Sequence, residues 1–194
     1  IDPTKVTIEN VGFPVREPML AAGQVDAFTG FSFSSYINLK DRGVPADDIT
    51  VLLMADHGVN LYGNAIIVNP KFAAEKPEVV KKFLNAFLKG LKETVKNPST
   101  SVESVIKRND VAKKEVELER LKMALRDNIL TPEVKANGFG GVDMRRLDRS
   151  IEQIALTYEF KDKAKAGDVF DPSFLPAAGE RKAQPVTILP QLPL

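Results

Sequence analysis

The chain has 194 residues, of which 43% are hydrophobic and 27% charged, with 27 basic side chains against 26 acidic ones. This is ordinary globular composition, and a net charge of +1 supplies no field for nucleic acid or an anionic membrane surface. Cysteine is absent, which excludes a thiol nucleophile, a disulfide framework and a zinc-thiolate centre, and no apolar run approaches the roughly 18–20 residues that cross a bilayer.

The first residues, "IDPTKVTIENVGF", carry neither Met nor a basic-plus-apolar leader, so the chain reads as a processed or truncated product. Lys5–Val11 alternates apolar and polar residues with the period of a strand. Pro18 then suits the first turn of a short helix that stops at Gly23. Val25–Thr29 is the next expected strand, and Ser32–Gly43 a helix with Ser32 as its N-cap and Gly43 as its stop. Ile49–Met54 is almost wholly apolar, as expected of a strand covered on both faces, and Asn64–Val68 makes a fourth. Strands separated by short helices predict an α/β fold with a mainly parallel sheet.

From Pro70 onward the pattern is helical. Val80, Phe83, Leu84, Phe87, Leu88, Leu91 and Val95 recur at steps of three and four, which places them on one face of a helix begun by Pro77 and ended before Pro98. Further helices are expected over Ser99–Arg108, Lys113–Asn128 and Asp143–Phe160, the last with Leu147, Ile151, Ile154 and Tyr158 along one side. Asn137–Gly141, "NGFGG", is a loop, and 177–194 an extended tail. The charges of "KKEVELERLK" read as a solvated face with i,i+4 pairing.

Catalytic signatures are sparse. There is no G-x-S-x-G elbow, no G-x-x-x-x-G-K-[ST] or G-x-G-x-x-G phosphate loop, and no cluster of metal-ligand type. His57 is the lone histidine; it is a candidate ligand contact, with a loop histidine bonded to backbone as the plainer reading. One distribution stands out. Between Glu17 and Pro70 the only basic residues are Lys40 and Arg42, so the loops after "VDAF" and after "ITVLLM" hold no cation of their own. They hold Phe28, Thr29, Phe31, Ser32, Ser34 and Tyr36, then Asp56, His57, Asn60, Tyr62 and Asn64. Aromatic walls with a few hydroxyls and amides at the ends of parallel strands are the makings of a small-molecule pocket, although each Phe could equally pack between sheet and helix.

"MLAAGQVDAF", "HGVNLYGNAIIVNPKFAAEKPEVVKKFLNAFLKG", "GFGGVDMRRLDRSIEQIA" and "DVFDPSFLP" occur in that order. Together they resemble the periplasmic substrate-binding proteins of ABC importers, in the family that serves thiamine pyrimidine precursors, nitrate, sulfonates and taurine. The resemblance runs from about Lys5 to Pro176. It implies a two-lobed, periplasmic-binding-protein type II-like α/β fold, here incomplete, with a helical C-terminal half. In that scheme 1–51 is the latter half of lobe two, 52–69 a crossing segment back to lobe one, 70–176 the remainder of lobe one with the C-terminal helices, and 177–194 the tail.

Carried over residue by residue, the resemblance makes Phe28, Thr29, Gly30, Phe31, Asn60, Tyr62 and Asn64 ligand contacts, with Ser32 and His57 as candidates beside them. It implies a monomeric receptor without cofactor or metal, periplasmic or lipid-anchored outside the cytoplasm. Such a receptor would bind a small organic molecule and deliver it to a permease in the inner membrane by cleft closure. The charge-free loops favour a neutral heteroaromatic over a sulfonate. An enzyme on the same fold, acting on a pyrimidine-like or aromatic molecule, is the alternative. The cytosolic pyridoxal-phosphate branch depends on a Cys-rich motif that a Cys-free chain lacks. A helical interaction module over 70–160 is a third reading.

Overall fold

The structure, a computed structural model, describes residues 2–183. The chain divides between Val51 and Leu52 into two compact units. The tail expected over 177–194 lies mostly outside the described residues; Ala178–Arg181 within it forms a 3-10 turn.

In the first unit a 3-10 turn at Phe13–Val15 leads into α1 (Arg16–Ala21), and the loop after it leads into α2 (Ser32–Asp41). Gly23, at φ 68°, ends the α1 region as expected. Phe31, not Ser32, is the N-cap of α2: its backbone is extended, and Ser32 is already the first helical residue. The core of this unit is the buried face of α2, Tyr36, Ile37 and Leu39, against which Glu17 and Ser35 are also buried.

The four expected strands do not form among the described residues, which contain helices, turns and unpaired extended segments. The backbone propensity is present: Val6 (φ −101°, ψ 120°), Ile49 (φ −102°, ψ 110°) and Leu53 (φ −77°, ψ 124°) are all extended. A ladder needs a neighbouring strand about 4.8 Å away to take its N–H and C=O groups, and no such neighbour is supplied among these residues. Extension is a local property and pairing is not. The C-terminal end of the expected third strand is wound instead into a 3-10 turn at Met54–His57.

The second unit carries the helices: α3 (Pro70–Glu75), α4 (Pro77–Lys96), α5 (Pro98–Ser101), α6 (Glu103–Ile106), α7 (Lys114–Ala124), α8 (Pro132–Asn137), α9 (Met144–Ala155) and α10 (Ala166–Val169). Asn69 caps α3 through its side chain, and prolines open α3, α4, α5 and α8, where a missing N–H costs nothing. The single helix expected over 99–108 is broken into α5 and α6. The one expected over 113–128 changes register to a π-turn at Leu125–Ile129, and the one expected to reach Phe160 stops at Ala155.

The core gathers Val95, Leu125 and Phe139, with Leu88, Leu91, Leu121 and Ile129 against them. Phe139 belongs to the "NGFGG" loop, which the backbone of Arg181 holds down: Phe139 N donates to Arg181 O at 2.7 Å, and Arg181 Nη1 donates to Phe139 O at 3.0 Å. Gly138, at φ 80°, makes this approach possible, since a Cβ there would lie 2.8 Å from Arg181 O. The α7 charges are less solvated than expected. Glu117 and Arg120 pair at i,i+3 with both side chains half-buried.

Candidate functional site

The expected ligand contacts fall into two segments, one in each unit. In the first unit, Arg16 is the opening residue of α1 and its guanidinium carbon stands 4.4 Å above the ring of Phe13. Its Nη1 donates to the carbonyl of Thr29 at 2.5 Å, so the start of α1 holds the loop that precedes α2. Glu17, only 6% exposed, accepts from Ser35 Oγ at 2.9 Å and from Asn38 Nδ2 at 3.5 Å. Burial pushes the Glu17 carboxyl up. Its own backbone N–H, the bonds from Ser35 and Asn38, and the charge of Arg16 together bring it below the usual carboxylate value.

Between these two anchors runs the segment 28–32. Phe28 and Ser32 are half-buried, Thr29 and Gly30 exposed, and Phe31 is 54% exposed and stacked on Phe33 at 5.5 Å between centroids. Gly30 is demanded by contact, because a Cβ would stand 2.4 Å from Ser35 Oγ. The five residues thus form a contiguous lip: an exposed aromatic ring, a bare backbone stretch and the first turn of α2.

In the second unit, the segment 58–62 is held by α9. Thr131 caps α8 and sets Glu133 in its first turn; Asp143 caps α9 through Arg145 N and Arg146 N and sets Arg146 in its first turn. Arg146 and Gln153 are seven residues apart, two turns along one face. Gln153 Nε2 donates to Gly58 O at 2.7 Å, and Arg146 Nη2 donates to Asn60 Oδ1 at 2.7 Å and Leu61 O at 3.1 Å. The Arg146 guanidinium also covers the Tyr62 ring at 4.1 Å and donates through Nη1 to Glu133 Oε2 at 2.7 Å. Tyr62 OH donates to Glu133 Oε1 at 2.5 Å and accepts from Asp143 N at 2.9 Å.

Burial pushes the Glu133 carboxyl up, but the bonds from Tyr62, Arg146 and Asp143 N–H, with the Arg146 charge, hold it below the usual range. Burial raises the Tyr62 phenol above its ordinary 10.0 and the Glu133 carboxylate adds to the rise; Asp143 N–H and Arg146 oppose it without cancelling it.

The structure therefore gives Asn60 and Tyr62 internal bonds: the Asn60 carbonyl oxygen and the Tyr62 hydroxyl are committed to Arg146, Glu133 and Asp143, which leaves the amide of Asn60 and the ring edge of Tyr62. His57 is exposed at the end of the Met54–His57 turn, ahead of Gly58 at φ 88°, and Asn64 is exposed as well. No group of three or more His, Asp or Glu residues converges for a metal among the described residues. No helix there is long and apolar enough to cross a membrane.

Three residues escape a reading of the loops alone: Arg16, Glu133 and Arg146. Arg16 sits one position before Glu17, and only the fold brings it back to Thr29. The loop after "VDAF" holds no cation of its own, and this bond sets one beside it. Arg146 and Glu133 stand more than 70 positions beyond Tyr62, and their link to it is a tertiary fact.

A family profile described as "NMT1/THI5 like" matches residues 1–101. The riboflavin-binding protein RibY of Chloroflexus aurantiacus is 33% identical over 98 residues, 50% of this chain and 26% of that protein. The formylaminopyrimidine-binding protein of Halalkalibacterium halodurans is 29% identical over 180 residues, 87% of this chain and 51% of that protein. The chain thus spans about a quarter and about half of the length of the two curated relatives. No solved structure matches it.

Proposed function

The chain belongs to the NMT1/THI5-like family, whose domain has the periplasmic-binding-protein type II fold, and from that premise we propose that it is part of a solute receptor for a flat heterocyclic small molecule. The observation that carries the reading is the lip at 28–32, where the half-exposed ring of Phe31 adjoins the exposed backbone of Thr29 and Gly30. A flat ring stacks on such an aromatic edge with a gain of about 0.5–1.5 kcal/mol beyond its buried area. Thr29 and Ser32 are the hydrogen-bonding groups of the proposal, and Phe28 its second apolar wall.

The names of both relatives support this reading, since riboflavin and a formylaminopyrimidine are both built on planar nitrogen heterocycles. Both are named as binding proteins and neither as an enzyme. The receptor works by cleft closure: ligand stabilises a closed form, and that form docks on an ABC-type permease of the inner membrane. The place of action is the periplasm, or the outer face of the membrane through a lipid anchor. Within that scheme 1–51 belongs to one lobe, 52–69 is the crossing segment and 70–176 belongs to the other lobe.

Thermal-shift screening of the protein encoded by the complete reading frame, against pyrimidines, flavins, aromatic acids and sulfonates, tests the proposal. A rise in melting temperature with flat heterocycles is expected. Absence of any shift, or turnover of a ligand that vanishes with His57→Ala, would overturn it.

A further inference from the structure

We infer that Arg16 is a specificity-determining residue and that the ligand carries a carboxylate beside its flat ring. The inference rests on the receptor reading and deepens it. Arg16 is half-buried, yet no carboxylate lies within ion-pair distance of it among the described residues. Its Nε is buried without an acceptor, and its one hydrogen bond runs from Nη1 to the carbonyl of Thr29, inside the lip. Glu17 is the adjacent residue, but its carboxylate is taken by Ser35 and Asn38.

A partly buried guanidinium with a neutral acceptor on one nitrogen and none on Nε is held at a cost, which an oxyanion offsets. Nε itself is enclosed, so the donors that remain for a ligand are on the terminal nitrogens; they lie in one plane, and a carboxylate is the oxyanion whose geometry matches them. Charge also limits the choice. Arg16 and the ionised Glu17 already sum to zero, so every added negative charge is left uncompensated, which a monoanion bears more easily than a phosphate dianion. Phe13 lies beneath the guanidinium and the Phe31 ring is exposed, so both aromatic faces that an aromatic acid could use are on this unit.

The test uses matched pairs that differ in charge alone: benzoate and benzamide, nicotinate and nicotinamide, and pyrimidine-5-carboxylate with its carboxamide. Benzenesulfonate and phenyl phosphate are the competing anions. Affinities are measured by calorimetry on the protein from the complete reading frame, as wild type, Arg16→Gln and Arg16→Lys. In the wild type at least one acid binds about tenfold or more tightly than its amide, the gain expected of a hydrogen bond to a charged group, and its advantage falls with salt. Arg16→Gln collapses the acid-to-amide ratio toward one, and Arg16→Lys keeps part of it.

Equal binding of acid and amide by the wild type, tighter binding of the sulfonate or phosphate, or an unchanged ratio in folded Arg16→Gln overturns the inference and leaves the receptor reading standing. Binding of none of the probes, of riboflavin or of a pyrimidine overturns both. The wild-type ratio and its salt dependence decide the matter even if Arg16→Gln does not fold.

Discussion

At the scale of single residues, each of the two segments is held by a few specific bonds. Gly30 is a position where one methyl group is felt, because its Cβ would press on Ser35 Oγ, the donor to buried Glu17. Gly30→Ala is expected to cost about 1–3 kcal/mol in chemical denaturation, the price of leaving a buried carboxylate short of a donor. Tyr62→Phe removes both a donor to Glu133 and an acceptor for Asp143 N–H, at a cost of about 1–2 kcal/mol. Alkaline absorbance titration should lose a tyrosine that ionises above 10.0 in that variant, since burial and Glu133 raise the Tyr62 phenol.

Acid sensitivity follows from Glu133. Its folded-state carboxyl lies below the ordinary 4.5, so its contribution is complete above that value and is lost as the pH falls through and below it. Thermal melts between pH 6 and about 3 should show a steep acid limb, and Glu133→Gln should flatten it in part, Glu17 supplying the remainder.

At the scale of elements, legibility depends on whether the cause of a structure is local. The long helix α4 was readable because Pro77 opens it, Pro98 follows it, and its apolar residues recur at helical spacing. Burial along that stripe was less readable. Val80 and Val95 are buried, whereas Phe87 is 50% exposed and stacks on Phe83 at 6.4 Å, because the face is wider than the neighbours packed on it. Leu125→Ala, at a site 2% exposed beside Val95 and Phe139, is expected to cost about 2–5 kcal/mol in denaturant unfolding. Phe87→Ala should cost visibly less.

The strands were legible as extended segments and not as a sheet, since Val6, Ile49 and Leu53 have the dihedrals but lack a ladder neighbour among the described residues. The exposed aromatic and hydroxyl character of 28–32 was legible from its composition. The cation beside it was not, because Arg16 reaches Thr29 only once α1 is built.

At the scale of the whole molecule, apolar residues of the extended segments lie open, Ile67 at 91% and Ile8 at 81% among them, in a chain that spans about half or less of its curated relatives. The receptor reading has a direct thermodynamic consequence: a ligand that binds only the folded state stabilises it by about 2.7 kcal/mol at a hundredfold excess over its dissociation constant. The most direct measurement is therefore a calorimetric titration of the protein from the complete reading frame with riboflavin, a pyrimidine and the aromatic acids, with the ligand recovered afterwards. One-to-one saturable binding of a flat heterocycle recovered unchanged, weakened by Phe31→Ala, is the predicted result; no saturable binding, or recovery of a converted ligand, would contradict it.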